Sequence, residues 1–288
     1  AARIGNTYYD SFEEAFNATK EMTNATIVVL KDIELTGADC RMTSSWSNAT
    51  ITVDLNGHVL TAAEGNRLFT VLAGTLNIQD SSPTTEHKYR VDESSGKWIL
   101  NKDGESTLYG GVITGGDFEN NGGAIMASGA NAKVNISGGN IIGNQSNGAS
   151  GGVATSGGTI NISGGSVMGN ISTQGGTNVS DLDGSGIKIT GGTFTTELDK
   201  GMLAEGYSAV QTTYNGSDVY VVTTGQENTG YHVVTIPAQV YTGTAIEPTV
   251  TVYNENETLD KDGYSVKYEN NTNVGSATAT VTIDGQDQ

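Results

Sequence analysis

Proline is nearly absent, with 3 in 288 residues, and cysteine occurs once, at Cys40. A lone cysteine excludes an internal disulfide, so stability must come from packing, and with no catalytic signature around it Cys40 reads as an inert or buried thiol. Leucine is missing between Leu108 and Leu182, which excludes a leucine-rich repeat over that stretch. Basic residues are few, 14 against 32 acidic, for a formal charge of −18. Such a balance argues against nucleic acid and anionic membranes as partners, because both would repel the chain. No apolar run approaches membrane-spanning length, so no membrane insertion is expected. The N-terminus lacks a basic and apolar signal segment, so a mature or trimmed secreted fragment is expected. The histidines, His58, His87 and His232, lie far apart without metal-ligand spacing.

What is abundant is glycine, 40 residues without a collagen period. Much of it falls in one recurring phrase: Ile113-Thr114-Gly115-Gly116, Ile136-Ser137-Gly138-Gly139, Ile162-Ser163-Gly164-Gly165 and Ile189-Thr190-Gly191-Gly192. The intervals are 23, 26 and 27 residues, the length of one solenoid turn. The lead-ins alternate, as in Val134-Asn135-Ile136 and Ile160-Asn161-Ile162, which is strand periodicity with one aliphatic and one polar face. Paired glycines would cost about 1 kcal/mol each inside a helix, whereas they serve well at corners between short strands. The pattern predicts an all-β chain built on a parallel β-helix. Gly143-Asn144 and Gly169-Asn170 also recur 26 apart and predict an asparagine ladder at one corner.

Along the chain, Ser11 and Glu14 form a capping box before Phe12, Ala15 and Phe16, which predicts a helix near 11–22 covering the open end of the stack. The β-helix is expected over residues 1–224. Residues 81–111 break its rhythm, and 86–102 within them predict a projecting β-hairpin, with Tyr89, Arg90 and Trp98 in an otherwise aromatic-poor chain. Those rings could stack on a sugar or pack on the solenoid wall, the commoner use of such side chains. Residues 225–230 read as a linker, and 231–288 as short strands of a small β-sandwich. At 58 residues that sandwich is short, so a further strand or two are expected beyond its end.

With these residues in view, the first 225 positions resemble the pectin-lyase-like right-handed β-helices of large surface proteins from Gram-positive, often gut-dwelling, bacteria. The phrases that carry the resemblance are Val53-Asp54-Leu55-Asn56-Gly57-His58, Leu76-Asn77-Ile78-Gln79-Asp80, Gly122-Gly123-Ala124-Ile125 and the four glycine-pair units. The tail is similar to bacterial Ig-like surface repeats through Ile236-Pro237-Ala238 to Pro248 and through Asn270 to Gly275. The resemblance implies an extracellular, cell-surface or wall-attached setting. It covers adhesins, stalks and glycan-active enzymes alike.

Enzymes on such a fold need paired carboxylates flanking the scissile bond, or a cation with a basic residue. The outward positions of the regular coils are instead Asn135, Ser137, Asn161, Ser163, Lys188 and Thr190. The leading expectation is therefore a non-enzymatic binding protein. Its contacts would be Tyr89, Arg90, Trp98, Asn135, Asn161 and Lys188, and its partner a glycan or a host or bacterial surface protein. A polysaccharide lyase or glycoside hydrolase would have to draw on Asp54, Asp80, Arg90 or Asp117, and a ligand-free stalk is the third reading. No cofactor is expected. Asp181 and Asp183 in Asp181-Leu182-Asp183-Gly184 resemble half a calcium loop, yet lack its later acidic ligands.

Overall fold

The computed structural model describes residues 1–184, 186–224, 231–233, 244–254, 263–272 and 277–283. The chain divides into two compact units, Ala1–Thr224 and Gly225–Gln288. In the first, about six turns of a β-solenoid are bounded by three walls of stacked strands. Wall 1 stacks Asn24–Val29, Thr50–Asp54, Gly74–Gln79, Ala132–Ile136, Thr159–Ile162 and Ile187–Ile189, all parallel. Wall 2 stacks Ile33–Glu34, Val59–Thr61, Val112–Thr114, Asn140–Ile142, Ser166–Met168 and Thr193–Phe194. Wall 3 stacks Cys40–Met42, Phe69–Val71, Ile125–Ser128, Ser150–Ser156 and Thr177–Asp181.

Parallel pairing in register makes each inward position a column. On wall 1, Ile27, Val53, Ile78, Ile136, Ile162 and Ile189 lie over one another, all buried. On wall 2 the column is Ile33, Leu60, Ile113, Ile141, Val167 and Phe194. Each fully buried aliphatic contributes about 1.5–3 kcal/mol. Cys40 takes an inward place on wall 3 beside Phe69, and burial, with Glu13 and Asp39 nearby, pushes its thiol pKa up, so it stays protonated.

The four glycine-pair phrases are not equivalent. Ile136, Ile162 and Ile189 share wall 1, but Ile113 belongs to wall 2, and the wall 1 strand of its turn is Gly74–Gln79. Both corners need a strand followed by a left-handed glycine, so the same local phrase fits either: Gly115 has φ +76° after wall 2, and Gly139 has φ +81° after wall 1. The short interval of 23 is therefore a change of corner, not a short coil.

The asparagine ladder forms at the corner after wall 2 and runs three rungs deep. Asn144 donates to Asn170 Oδ1 at 2.8 Å and to the carbonyls of Ile113 and Ile142, and Asn170 donates to Asn178 Oδ1 at 2.9 Å and to Ile141 O. Asn178 was not in the sequence expectation; it reaches the stack from wall 3 and donates on to Thr195 Oγ1. All three amides are buried and satisfied, which is the condition for keeping polar groups there.

At the N-terminal end Ser11 Oγ accepts from Glu14 N at 3.0 Å and starts the helix Phe12–Ala18, continued by a 3-10 turn over Thr19–Glu21. Phe12 and Phe16 pack on Phe69 and Trp46, closing the core as expected of a cap. At the other end Tyr207–Tyr214 and Ser217–Thr224 form a hairpin that joins wall 2 antiparallel through Thr193–Phe194. In the second unit, Tyr231–Val233 pairs antiparallel with Val252–Asn254, and Tyr264–Glu269 pairs antiparallel with Thr278–Ile283. The expected linker 225–230 lies outside the described residues, as do parts of the expected sandwich 231–288.

The segment expected to project does not. Glu86–Val91, Trp98–Leu100 and Ser106–Tyr109 make a three-stranded antiparallel sheet that lies against the outer face of wall 2. Tyr89, Trp98 and Leu108 form a second core there with Val59, Val112, Ile142, Met168 and Val219. Trp98 N donates to Gly169 O at 3.0 Å. The glycines of the Gly-Asn repeats make the seat: a Cβ on Gly169 would sit 2.0 Å from Trp98 Cγ, and one on Gly143 would sit 2.1 Å from Trp98 O. Trp98→Ala should cost about 3–5 kcal/mol, chiefly by freeing the inserted sheet. Limited proteolysis should then cut within 80–111 before the solenoid; equal protection of variant and parent would show that the sheet is held otherwise.

Candidate functional site

Wall 1 is the face that the sequence motifs assemble. Its outward middle column reads Thr26, Thr52, Asn77, Asn135, Asn161 and Lys188 in register. Asn161 donates to Asn135 Oδ1 at 2.8 Å, Asn135 to Asn77 Oδ1 at 2.8 Å, and Asn77 to Thr52 Oγ1 at 3.2 Å. The amides are half-exposed, Lys188 is exposed, and no described segment crosses them. Asn135, Asn161 and Lys188, predicted as contacts, are thus brought into one row, joined by Asn77 and Thr52. The repeat to which Leu76-Asn77-Ile78 belongs was legible, but the insertion after it hid its place in the row. Flanking outward positions are polar as well: Thr50, Thr75, Lys133 and Thr159 on one side, Asp54, Gln79, Ser137 and Ser163 on the other.

Tyr89 and Trp98 are elsewhere and do another job. Tyr89 is 0% and Trp98 2% exposed, their rings are stacked with centroids 4.4 Å apart, and Tyr214 stacks on Trp98 at 6.2 Å. Both faces of the indole are occupied, so the sugar-stacking expectation is corrected: the rings dock the inserted sheet. Burial pushes the Tyr89 phenol up, against a hydrogen bond from Asn215, and pushes Tyr214 up to about 12. Arg90, on the inserted sheet opposite Ile99, is exposed and apart from wall 1's row.

Two of the acids an enzyme would need, Asp54 and Asp80, are engaged by backbone N–H groups. Asp54 accepts from Asn56 N, Ser81 N and Gln79 Nε2. Asp80 accepts from Gly57 N, Ser82 N and Gly111 N, which clamps the two ends of the insertion together. Asp117 is exposed, on the short sheet Asp117–Phe118, Gln145–Ser146 and Ile171–Ser172. A cleft of about 640 Å³, unanticipated, opens between the inserted sheet and the first coils of wall 2 and is lined by Asp32, Glu34, Glu86, His87, Lys88 and Lys102. Its charges are partly met within the chain: Glu86 pairs with Lys88 at 3.0 Å, and Asp32 accepts from Val59 N at 3.0 Å. Its residues come from four separate stretches, 32–34, 59–61, 86–88 and 100–102, and no local motif joins them.

Asp181 and Asp183 stand close together, as the calcium-loop likeness requires, and both carboxylates receive backbone N–H groups. Asp181 accepts from Gly184 N at 3.0 Å, Gly186 N at 2.7 Å and Ile187 N at 3.0 Å, while Asp183 accepts from Gly157 N. Among the described residues no group of three or more His, Cys, Asp or Glu is placed to hold a metal ion. Comparison with family models, with curated proteins and with solved structures finds no match to this chain.

Burial alone would push the Asp181 carboxyl up, but the three N–H donors and the contact with Asp183 outweigh it and hold the pKa below the usual range. A carboxyl depressed in the folded state contributes stability that is complete above its unfolded pKa, about 4, and is lost as pH falls through the folded value. Asp181→Asn should therefore melt lower than the parent at neutral pH and converge on it in acid. A constant difference in melting temperature down to the acid limit would show that the ionised carboxylate is not what matters.

Proposed function

We propose that this chain is an extracellular, cell-surface binding protein whose wall 1 presents its polar row to glycan polymers or to the surface of a host or bacterial protein. The observation that supports this is the in-register row Thr52, Asn77, Asn135, Asn161 and Lys188 on a wall that no described segment covers. Coils stack about 4.8 Å apart, so the row offers amide donors and acceptors at a fixed spacing. Amides already bonded to one another have little side-chain freedom left to lose on binding. Weak contacts repeated along a rigid line add up without new chemistry. The charge of −18 favours neutral partners over nucleic acid.

The pectin-lyase-like and adhesin character, the Gram-positive surface setting and the role of residues 231–288 as an Ig-like spacer belong to this reading and rest on the sequence resemblance. A glycan-active enzyme draws less support, because Asp54 and Asp80 are engaged by backbone N–H groups. The test is retention of the purified chain on immobilised plant, mucin and bacterial glycans and matrix proteins. The double variant Asn135→Leu with Asn161→Leu should keep the strand spectrum of the parent and lose about tenfold in affinity, the value of one or two hydrogen bonds. Undiminished retention of that variant would remove wall 1 from the reading.

A further inference from the structure

The cleft between the inserted sheet and the first coils of wall 2 takes no part in the wall 1 reading, and its charges are sorted by side. From the coils come Asp32 and Glu34, on either side of the inward Ile33. From the sheet come Glu86, Lys88 and Lys102. Lys88 is already engaged: its Nζ donates to Thr107 Oγ1 at 2.6 Å and pairs with Glu86 at 3.0 Å. Among the described residues the side chains of Glu34 and Lys102 make no hydrogen bond or ion pair, and Asp32 gives one oxygen to Val59 N. What remains is a pair of carboxylates on one side of the cleft and an ammonium on the other. The cleft also exposes parts of Val59 and Leu100, both packed in the second core. Its two sides are tied together, because His87 Nε2 lies 2.9 Å from Gly57 O and Asp80 accepts from Gly57 N and Gly111 N. A ligand therefore meets a site already ordered. At about 640 Å³ the cleft falls within the range of about 300–1,000 Å³ usual for small-ligand sites.

Opposite charges on facing sides, with apolar surface in the same cleft, are complementary to a molecule that carries an ammonium and a carboxylate at the two ends of an aliphatic stem. A neutral sugar would leave both charges unmet, and a diamine would set a like charge against Lys102. We infer that this cleft binds the C-terminal lysine of a peptide or protein. The ε-ammonium is taken by Glu34 and Asp32, the stem lies over Val59 and Leu100, and the terminal carboxylate is taken by Lys102. Each charged contact is a charge-assisted hydrogen bond, and the methylenes of the stem leave water for apolar surface. The site goes beyond the wall 1 reading and shares no residue with it.

The test is titration of the full chain by calorimetry with ε-aminocaproate, which has the lysine stem and a charge at each end. Hexanoate, hexylamine and the shorter γ-aminobutyrate are parallel arms. ε-Aminocaproate should bind with a dissociation constant of about a millimolar, and each of the others at least about fivefold more weakly, the value of one exposed ion pair. Glu34→Gln and Lys102→Gln should each lose about fivefold for ε-aminocaproate while melting with the parent, since neither side chain is bonded within the chain. Glu34→Gln should also erase the preference over hexanoate, and Lys102→Gln the preference over hexylamine. Binding of ε-aminocaproate no tighter than hexanoate and hexylamine, or unchanged by both substitutions, would overturn the inference. A peptide ending in lysine should bind and its C-terminally amidated twin should not; equal behaviour of the two would overturn the chain-end assignment. Asn135→Leu with Asn161→Leu should bind ε-aminocaproate as the parent does, so failure of the wall 1 reading and failure of this one are separable.

Discussion

Everything in the first unit depends on stacking in register. A parallel strand laid on its neighbour at about 4.8 Å has no freedom to choose whom its side chains meet: each position faces its own counterpart one coil away. Aliphatics repeat inward because Ile136 must sit between Ile78 and Ile162. The same rule dictates the corner. A buried asparagine is tolerated at 144 because position 170 supplies an acceptor and 178 supplies the next. One amide alone would leave an orphaned polar group, and the repetition is what satisfies it.

The walls have different fates because different things lie on their outer faces. Wall 2 carries apolar outward residues, Val59, Val112, Ile142 and Met168, and these are covered by the inserted sheet around Tyr89 and Trp98. Wall 1 carries amides and hydroxyls, and no described segment covers it. The glycines before Asn144 and Asn170 serve both faces of one corner: the chain turns inward to the ladder there, and the missing Cβ admits Trp98 from outside. Structure and dressing are thereby tied to the same two dipeptides.

Legibility followed locality. Alternation in Val134-Asn135-Ile136, the capping pair Ser11 and Glu14, and the 26-residue recurrence of Gly-Asn are local signals, and they led to the walls, the helical cap and the ladder. The misplacement of Ile113 shows the limit of a motif: two kinds of corner impose one backbone requirement, and only pairing partners distinguish them. The docking of Trp98 was open because a stacked ring and a projecting ring have the same sequence. The cleft around Glu34 and Glu86 was invisible, since it joins residues from separate stretches with no shared pattern.

The insertion leaves the stack after Gln79 and is seated on Gly169 two coils later, with Val59 from the coil before it also in its core. That span fixes where the molecule can grow. Duplicating or deleting a coil between Val59 and Gly169 would move the glycine seat away from Trp98, and a coil added after Ile189 would carry Tyr214, Asn215 and Val219 of the closing hairpin off the inserted sheet. The inserted sheet thus fixes the number of coils from that of Val59 to the closing hairpin, and lengthening by gene duplication is closed across that whole span.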